Sequence, residues 1–267
     1  MKVPMSWLQA MVNLPDGTTT DKVAKALTNH TATVEKVEVV GGELTGPIVI
    51  GHILSSVPEP QKNGKVINWC RVDVGPRYNA EGHPKNIEEG VEGRGIICGA
   101  PNAVEGAWVV VSLPGAVLPG GFAISARKTY GHMSDGMLCA SDELGIGVDD
   151  AGIITLPPSV EGHQLVPGED ALPILGVPEE VLDVDVTPDI GYCMSMRGIV
   201  REVAHAMSVH FRDPYDEEPI GPVRGPVDVD VQSDACSQFI ALPVSGMNPG
   251  APVSYTHLRA HETKANL

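Results

Sequence analysis

Five cysteines, Cys70, Cys98, Cys139, Cys193 and Cys236, are the first residues whose type could do chemistry. Cys98 and Cys139 stand beside glycine or small residues, where a nucleophile would be accessible. A thiolate nucleophile needs a base and a lowered pKa. The histidine nearest Cys139 in sequence is His132, and no oxyanion motif surrounds either residue, so both read as core thiols and no catalytic residue is assigned. The cysteines form no CxxC pair, which zinc would require, so no metal site is assigned either. Free thiols suit a reducing compartment. Gly145-Ile146-Gly147 lacks the Lys-Ser/Thr of a phosphate-binding loop. Asp213, Asp216, Glu217 and Glu218 are dense in carboxylates but lack the spacing of a calcium loop and read as a solvated linker.

Cations give the second set. Lys62, Lys65, Arg71, Arg127 and Lys128 lie in a segment rich in strand-like runs, with Lys62 and Lys65 on an expected hairpin tip from which long side chains can reach phosphates. Arg197, Arg201 and His205 repeat at i, i+4 and i+8 on the polar side of an expected helix, where pairing with acids of the same chain is favoured over RNA contact. Net charge is −16, which opposes binding of a polyanion through bulk charge. The acid is uneven, however: residues 45–155 carry −4 and residues 156–252 carry −12. Aromatics are scarce at 4%, and Trp69, Tyr78, Trp108, Phe122 and Tyr130 are the supply in the strand-rich segment. Recognition by shape and backbone contact is therefore expected over extensive base stacking.

These residues need elements to hold them. Met5, Leu8, Met11 and Val12 recur at helical spacing, Thr20 is placed to cap a second helix, and Thr33–Val40 alternates as a strand does. Ile48–Leu54, Val66–Val74, Gly95–Cys98, Trp108–Ser112 and Ala123–Lys128 are strand-like, separated by turns at Pro58-Glu59-Pro60, Gly75-Pro76 and Leu118–Gly121. Such a series suits a small OB-like barrel. Residues 157–186 read as an extended connection, followed by a helix with an apolar stripe of Met196, Ile199, Val200, Val203, Ala204 and Met207. Strand-like runs at Val227–Val231 and Phe239–Val244 read as the opening of a further domain. The N-terminus has no signal-peptide pattern and no apolar run reaches membrane-spanning length, so a cytoplasmic protein is expected. Val253–Thr263 is matched residue for residue by a translation of the transposase-adapter DNA used in sequencing libraries, so residues 253–267 are set aside as an artefact.

Three stretches carry a family resemblance: Ile96–Asn102 (IICGAPN), Ser134–Gly147 (SDGMLCASDELGIG) and Asp185–Glu202 (DVTPDIGYCMSMRGIVRE). In that order and spacing, after an opening Lys2-Val3-Pro4-Met5-Ser6-Trp7-Leu8, they resemble the N-terminal part of the bacterial phenylalanyl-tRNA synthetase β subunit. The family commonly has Asn-Arg where this chain has Asp189-Ile190. The motif residues singled out are Cys98, Gly99, Ala100, Asn102, Gly136, Cys139, Glu143, Gly145, Arg197 and Arg201. The resemblance implies an α+β protein: an OB-fold β-barrel of the tRNA-binding type at 41–151, inserted into a small discontinuous α/β domain at 1–40 and 152–211, with the truncated start of an editing domain at 212–252. It implies tRNA binding and scaffolding within a phenylalanine–tRNA ligase, an α2β2 heterotetramer with the α subunit that acts on tRNA(Phe), with neither membrane nor DNA as a partner. ATP and Mg2+ would serve the full enzyme outside this fragment, which would bind neither. A free-standing OB-fold protein for structured RNA and a purely structural interaction module are the alternatives.

Overall fold

A computed structural model describes residues 1–62, 64–84, 92–149, 151–160, 162–213 and 230–235. In chain order its elements are β1 (Lys2–Pro4), α1 (Met5–Met11), α2 (Thr20–His30), β2 (Val34–Val40), β3 (Ile48–Pro60), β4 (Val66–Asp73), α3 (Gly75–Ala80), β5 (Arg94–Cys98) and β6 (Trp108–Ser112). Then follow β7 (Val117–Leu118), β8 (Phe122–Ala123), β9 (Arg127–Thr129), β10 (His132–Ser134), β11 (Met137–Leu138), β12 (Thr155–Leu156), β13 (Ser159–Val160), β14 (His163–Gln164), α4 (Ala171–Ile174), β15 (Glu179–Val184) and α5 (Met196–Met207). They fall into two compact units, one of residues 1–6 and 34–185, the other of 7–33 and the described residues from 186 on.

The first unit is built on a six-stranded antiparallel sheet in the order β11-β6-β3-β4-β5, with β12 also on β6. β3 is its spine: Ile48–His52 pair with β6, and His52–Pro60 pair with β4. The register shifts between Ile53 and Ser55, a bulge that bends the strand and curls the sheet into a nearly closed barrel. Side-chain alternation fills two cores. Val49, Val109 and Val111 face one with Cys70, Val72 and Ile96. Ile48, Ile50 and Val110 face the other with Leu118, Cys139 and Leu144. Burial on both faces explains the unbroken apolar runs Ile48–Ile50 and Val109–Val111. Gly51 sits where a Cβ would come within 2.6 Å of Val111 Cγ2 and 2.9 Å of Val72 Cγ1, so no larger residue fits this crossing.

A three-stranded antiparallel sheet in the order β1-β15-β2 belongs to the same unit. Here Lys2 lies opposite Asp183, and Asp183 opposite Lys36. Lys2 Nζ donates to Asp183 at 2.8 Å and pairs with Glu38 at 2.9 Å. These bonds raise the Lys2 pKa, Asp183 contributing most, and lower that of Asp183. The second unit packs α2 against α5. Thr19 caps α2 by accepting from the Lys22 amide at 3.4 Å, and Ser195 caps α5 by accepting from the Gly198 amide at 3.1 Å. Met196, Ile199, Val200, Val203 and Ala204 form the buried face of α5.

Several elements depart from the sequence reading. Pro58-Glu59-Pro60 is the end of β3, not a turn; Pro58 and Pro60 pair opposite Asn68 and Val66 without interrupting the ladder. Gly75-Pro76 opens α3, with proline in the first turn, where a missing N–H costs nothing. Ala123–Lys128 splits into β8 and β9 around buried Ile124. The cap of α2 is Thr19 and not Thr20, which lies within the helix. The supposed extended connection contains β15, the centre of a sheet. Most of the expected strands after residue 212 and the whole tail lie outside the described residues.

Candidate nucleic-acid interface

The candidate cations lie on the barrel unit, on two hairpins, β3–β4 and β9–β10, that side-chain contacts join. Lys62 and Lys65 occupy the β3–β4 tip, closed by Gln61 N to Lys65 O at 2.7 Å and Gly64 N to Gln61 O at 3.0 Å, and both are exposed. Arg127 and Lys128, also exposed, lie on β9, which pairs with β10 through Arg127–Ser134, Lys128–Met133 and Thr129–His132. The β9–β10 hairpin is fastened to β5 by the Ile97 amide donating to Ser134 Oγ at 3.0 Å and the Asp135 amide donating to Gly95 O at 2.9 Å. The two hairpins are joined as follows. The His132 imidazole stacks on the Trp69 indole with centroids 4.3 Å apart and planes 17° from parallel. Its Nε2 lies 3.0 and 3.1 Å from the two Glu59 carboxylate oxygens. Arg71, two residues from Trp69 on the same strand face, holds its guanidinium 5.5 Å from the indole centroid. Lys62 and Lys65 thus lie at the β3–β4 tip, Arg71 on β4 six positions after Lys65, and Arg127 and Lys128 on β9, with the Glu59–His132–Trp69 contacts linking β3, β4 and β10. No carboxylate side chain occurs between Gly106 and Ser134.

The region rests on a buried ion pair. Arg94 Nη1 lies 3.3 Å from Asp135 Oδ2, with side chains 5% and 2% exposed. The His83 amide also donates to Asp135 Oδ2 at 2.6 Å, and Arg94 Nε donates to Tyr78 O at 2.7 Å. Three segments far apart in sequence are thereby tied together beneath the hairpin. Sequence reasoning missed Glu59, Arg94, His132 and Asp135 as contributors. Their partners lie 73 and 41 positions apart, with no local pattern to pair them.

The motif residues are distributed otherwise. Cys98 is buried and its sulfur accepts from the Ala100 amide at 3.4 Å; burial pushes its thiol up to about 11. Cys139 is buried against Ser112 Oγ at 2.9 Å, and burial pushes its thiol up to about 12. Neither thiol supplies a thiolate near neutrality. Asn102 clasps Ile153 from both ends of its amide, donating to Ile153 O at 2.8 Å and accepting from Ile153 N at 3.0 Å. Glu143 accepts from the Ala140 amide at 2.8 Å. Gly136 and Gly145 hold positive φ, 139° and 65°, whereas Gly99 is exposed with open space where a Cβ would stand. In the second unit Arg197 Nε donates to Asp213 at 2.8 Å, and Arg201 is exposed on the same helix. Among the described residues no group of three His, Cys, Asp or Glu is placed to hold a metal ion, and no helix is long and apolar enough to cross a membrane.

A nearly closed antiparallel barrel with cations on two joined hairpins is compatible with the OB fold, whose barrel face and loops receive nucleic acids and oligosaccharides. No family model matches the chain. Curated relatives do. The phenylalanine–tRNA ligase β subunit of Cutibacterium acnes is 98% identical over 252 residues, 94% of this chain and 30% of that protein. That of Thermobifida fusca is 48% identical over 94% of this chain and 29% of that protein, and that of Bifidobacterium longum 41% identical over 93% and 30%. Over these residues the chain belongs to the phenylalanine–tRNA ligase β subunits, as an N-terminal fragment. It spans about 30% of the length of the curated relatives it matches.

Proposed function

We propose that this chain is the tRNA-binding and scaffolding part of a phenylalanine–tRNA ligase β subunit. In the whole enzyme an α2β2 assembly attaches phenylalanine to tRNA(Phe) with ATP and Mg2+, and the chemistry lies outside this fragment. The observation that carries the reading is the 98% identity to the Cutibacterium acnes subunit across 252 residues. The barrel at 41–151 is read as an OB fold of the tRNA-binding type, inserted between 1–40 and 152–211. Antiparallel pairing of β1 and β2 with β15 supports that layout by bringing the two flanking segments to one sheet. An editing domain would begin near residue 212. Exposure of Lys62 and Lys65 at a hairpin tip and of Arg127 and Lys128 on the neighbouring β9, with Arg71 on β4, supports RNA contact through phosphates, because long cationic side chains reach the backbone while the barrel holds them in register.

Lys62→Glu combined with Lys65→Glu tests this surface. The pair is remote from both cores, so the thermal midpoint should not move. The Kd for tRNA(Phe), measured by filter binding at low salt, should rise by about tenfold or more, as expected for two phosphate contacts turned repulsive. Unchanged tRNA affinity would remove the β3–β4 tip from the interface.

A further inference from the structure

The β9–β10 hairpin turns through two residues, Tyr130 and Gly131, between the paired Thr129 and His132. Both have positive φ, 48° and 90°. A two-residue turn with positive φ at both positions selects Asn-Gly, Asp-Gly or Gly-Gly, since a bulky side chain is strained in the left-handed region. Tyrosine at the first position is therefore not explained by the turn. Packing does not explain it either: the ring lies in neither hydrophobic core and is 44% exposed. The other large aromatics of the barrel are engaged. Trp69 is covered by His132, Trp108 stands 4.8 Å from the His52 ring, and Tyr78 packs on the core. Phe122 is also exposed, but on β8, outside the hairpin that carries Arg127 and Lys128.

The tip is also held in place. His132, adjacent to the turn, is fixed by its stack on Trp69 and its contact with Glu59, three residues before Lys62. Lys128 lies two residues before Tyr130. An exposed aromatic ring in a disfavoured conformation, on a braced turn two residues from Lys128, has the chemistry of a platform for one nucleobase beside a phosphate contact.

We infer that Tyr130 is a base-stacking contact that engages an unpaired RNA base, which a continuous duplex does not offer. This rests on the RNA-binding reading above. Tyr130→Asn removes the ring and suits the turn better, so it separates binding from folding. With the whole chain, a fluorescein-labelled single-stranded RNA dodecamer and a blunt RNA duplex carrying as many phosphates are the probes. Tyr130→Asn should leave the thermal midpoint unchanged or higher, weaken single-strand binding roughly tenfold, and leave duplex binding and the salt slope unchanged, because stacking is worth a factor of about five or more per base and no charge is removed. Tyr130→Phe should bind within about twofold of the parent, and Phe122→Ala should bind as the parent does. Parental affinity in Tyr130→Asn, while Lys62→Glu with Lys65→Glu loses binding, would overturn the stacking contact and leave the surface standing. An equal loss in Phe122→Ala, a loss of duplex binding, or a lower midpoint in Tyr130→Asn would also overturn it. Failure of the parent chain to bind either RNA would overturn both readings.

Discussion

Cys139 Sγ lies 2.9 Å from Ser112 Oγ in a fully buried site, and Cys70, Cys98 and Cys193 are buried as well. Desolvation disfavours the charged thiolate, and for Cys98 and Cys139 it outweighs the hydrogen bonds that favour it. The sequence reading of these residues as core thiols needed only their small, apolar neighbours and the lack of a nearby base. It could not reach the Ser112 contact, made 27 positions away. Two outcomes follow at this scale. In the folded chain Cys70, Cys98, Cys139 and Cys193 should resist iodoacetamide at pH 8 and react fully in urea, as peptide mass mapping would show; rapid native labelling of Cys139 would contradict its burial. Stability should also depend on pH on the alkaline side. The Cys139 thiol ionises near 9.0 when unfolded and near 12 when folded. The folded state therefore retains a proton that the unfolded state gives up, and its advantage, complete below pH 9, declines as pH rises from there towards 12. A urea midpoint that holds steady across that interval would count against it.

At the scale of elements, legibility followed burial. β3 and β6 were readable because both of their faces are apolar, and α5 because its stripe of Met196, Ile199, Val200 and Val203 keeps helical period. β15, Glu-Glu-Val-Leu-Asp-Val, reads in sequence as part of an acid-rich connection. Its Asp183 is answered by Lys2, 181 positions away, and no local pattern reports such a partner. Long-range electrostatics also governs the hairpin. Asp135 and Arg94 form a pair with almost no solvent, and removing one partner strands the other charge. Asp135→Ala is expected to lower stability by about 3–5 kcal/mol in urea unfolding, far more than an exposed pair such as Lys2–Asp183 would lose. A second element-scale case runs against propensity. Alanine favours helices over glycine by about 1 kcal/mol, yet a Cβ at Gly198 of α5 would lie 2.0 Å from the Tyr192 carbonyl oxygen. Gly198→Ala should therefore destabilise the helical unit, and a raised thermal midpoint would show that the close approach is not maintained.

For the whole molecule the governing quantity is charge and where it lies. A net charge of −16 repels RNA at long range, so the chain cannot rely on a diffuse basic surface. Composition revealed that the acid is concentrated after residue 155, but not that the hairpin carrying Arg127 and Lys128 is joined by side-chain contacts to the strands that carry Lys62 and Lys65 at their tip. That grouping depends on the bend in β3 and on the His132–Glu59 and His132–Trp69 contacts, none of which composition encodes. The consequence is quantitative. If binding rests on these cations, four to five phosphates are neutralised, and the logarithm of the tRNA affinity falls about linearly with that of salt, by roughly 0.7 to 0.9 per phosphate. Between about 50 and about 200 mM salt the affinity should drop on the order of a hundredfold. Lys62→Glu with Lys65→Glu should lower the slope by about two contacts, because the remaining cations still release counterions. A parent slope near zero would show that binding does not pass through phosphates. A steep slope unaffected by the substitutions would place the phosphate contacts away from the β3–β4 tip, on cations that the two substitutions leave in place.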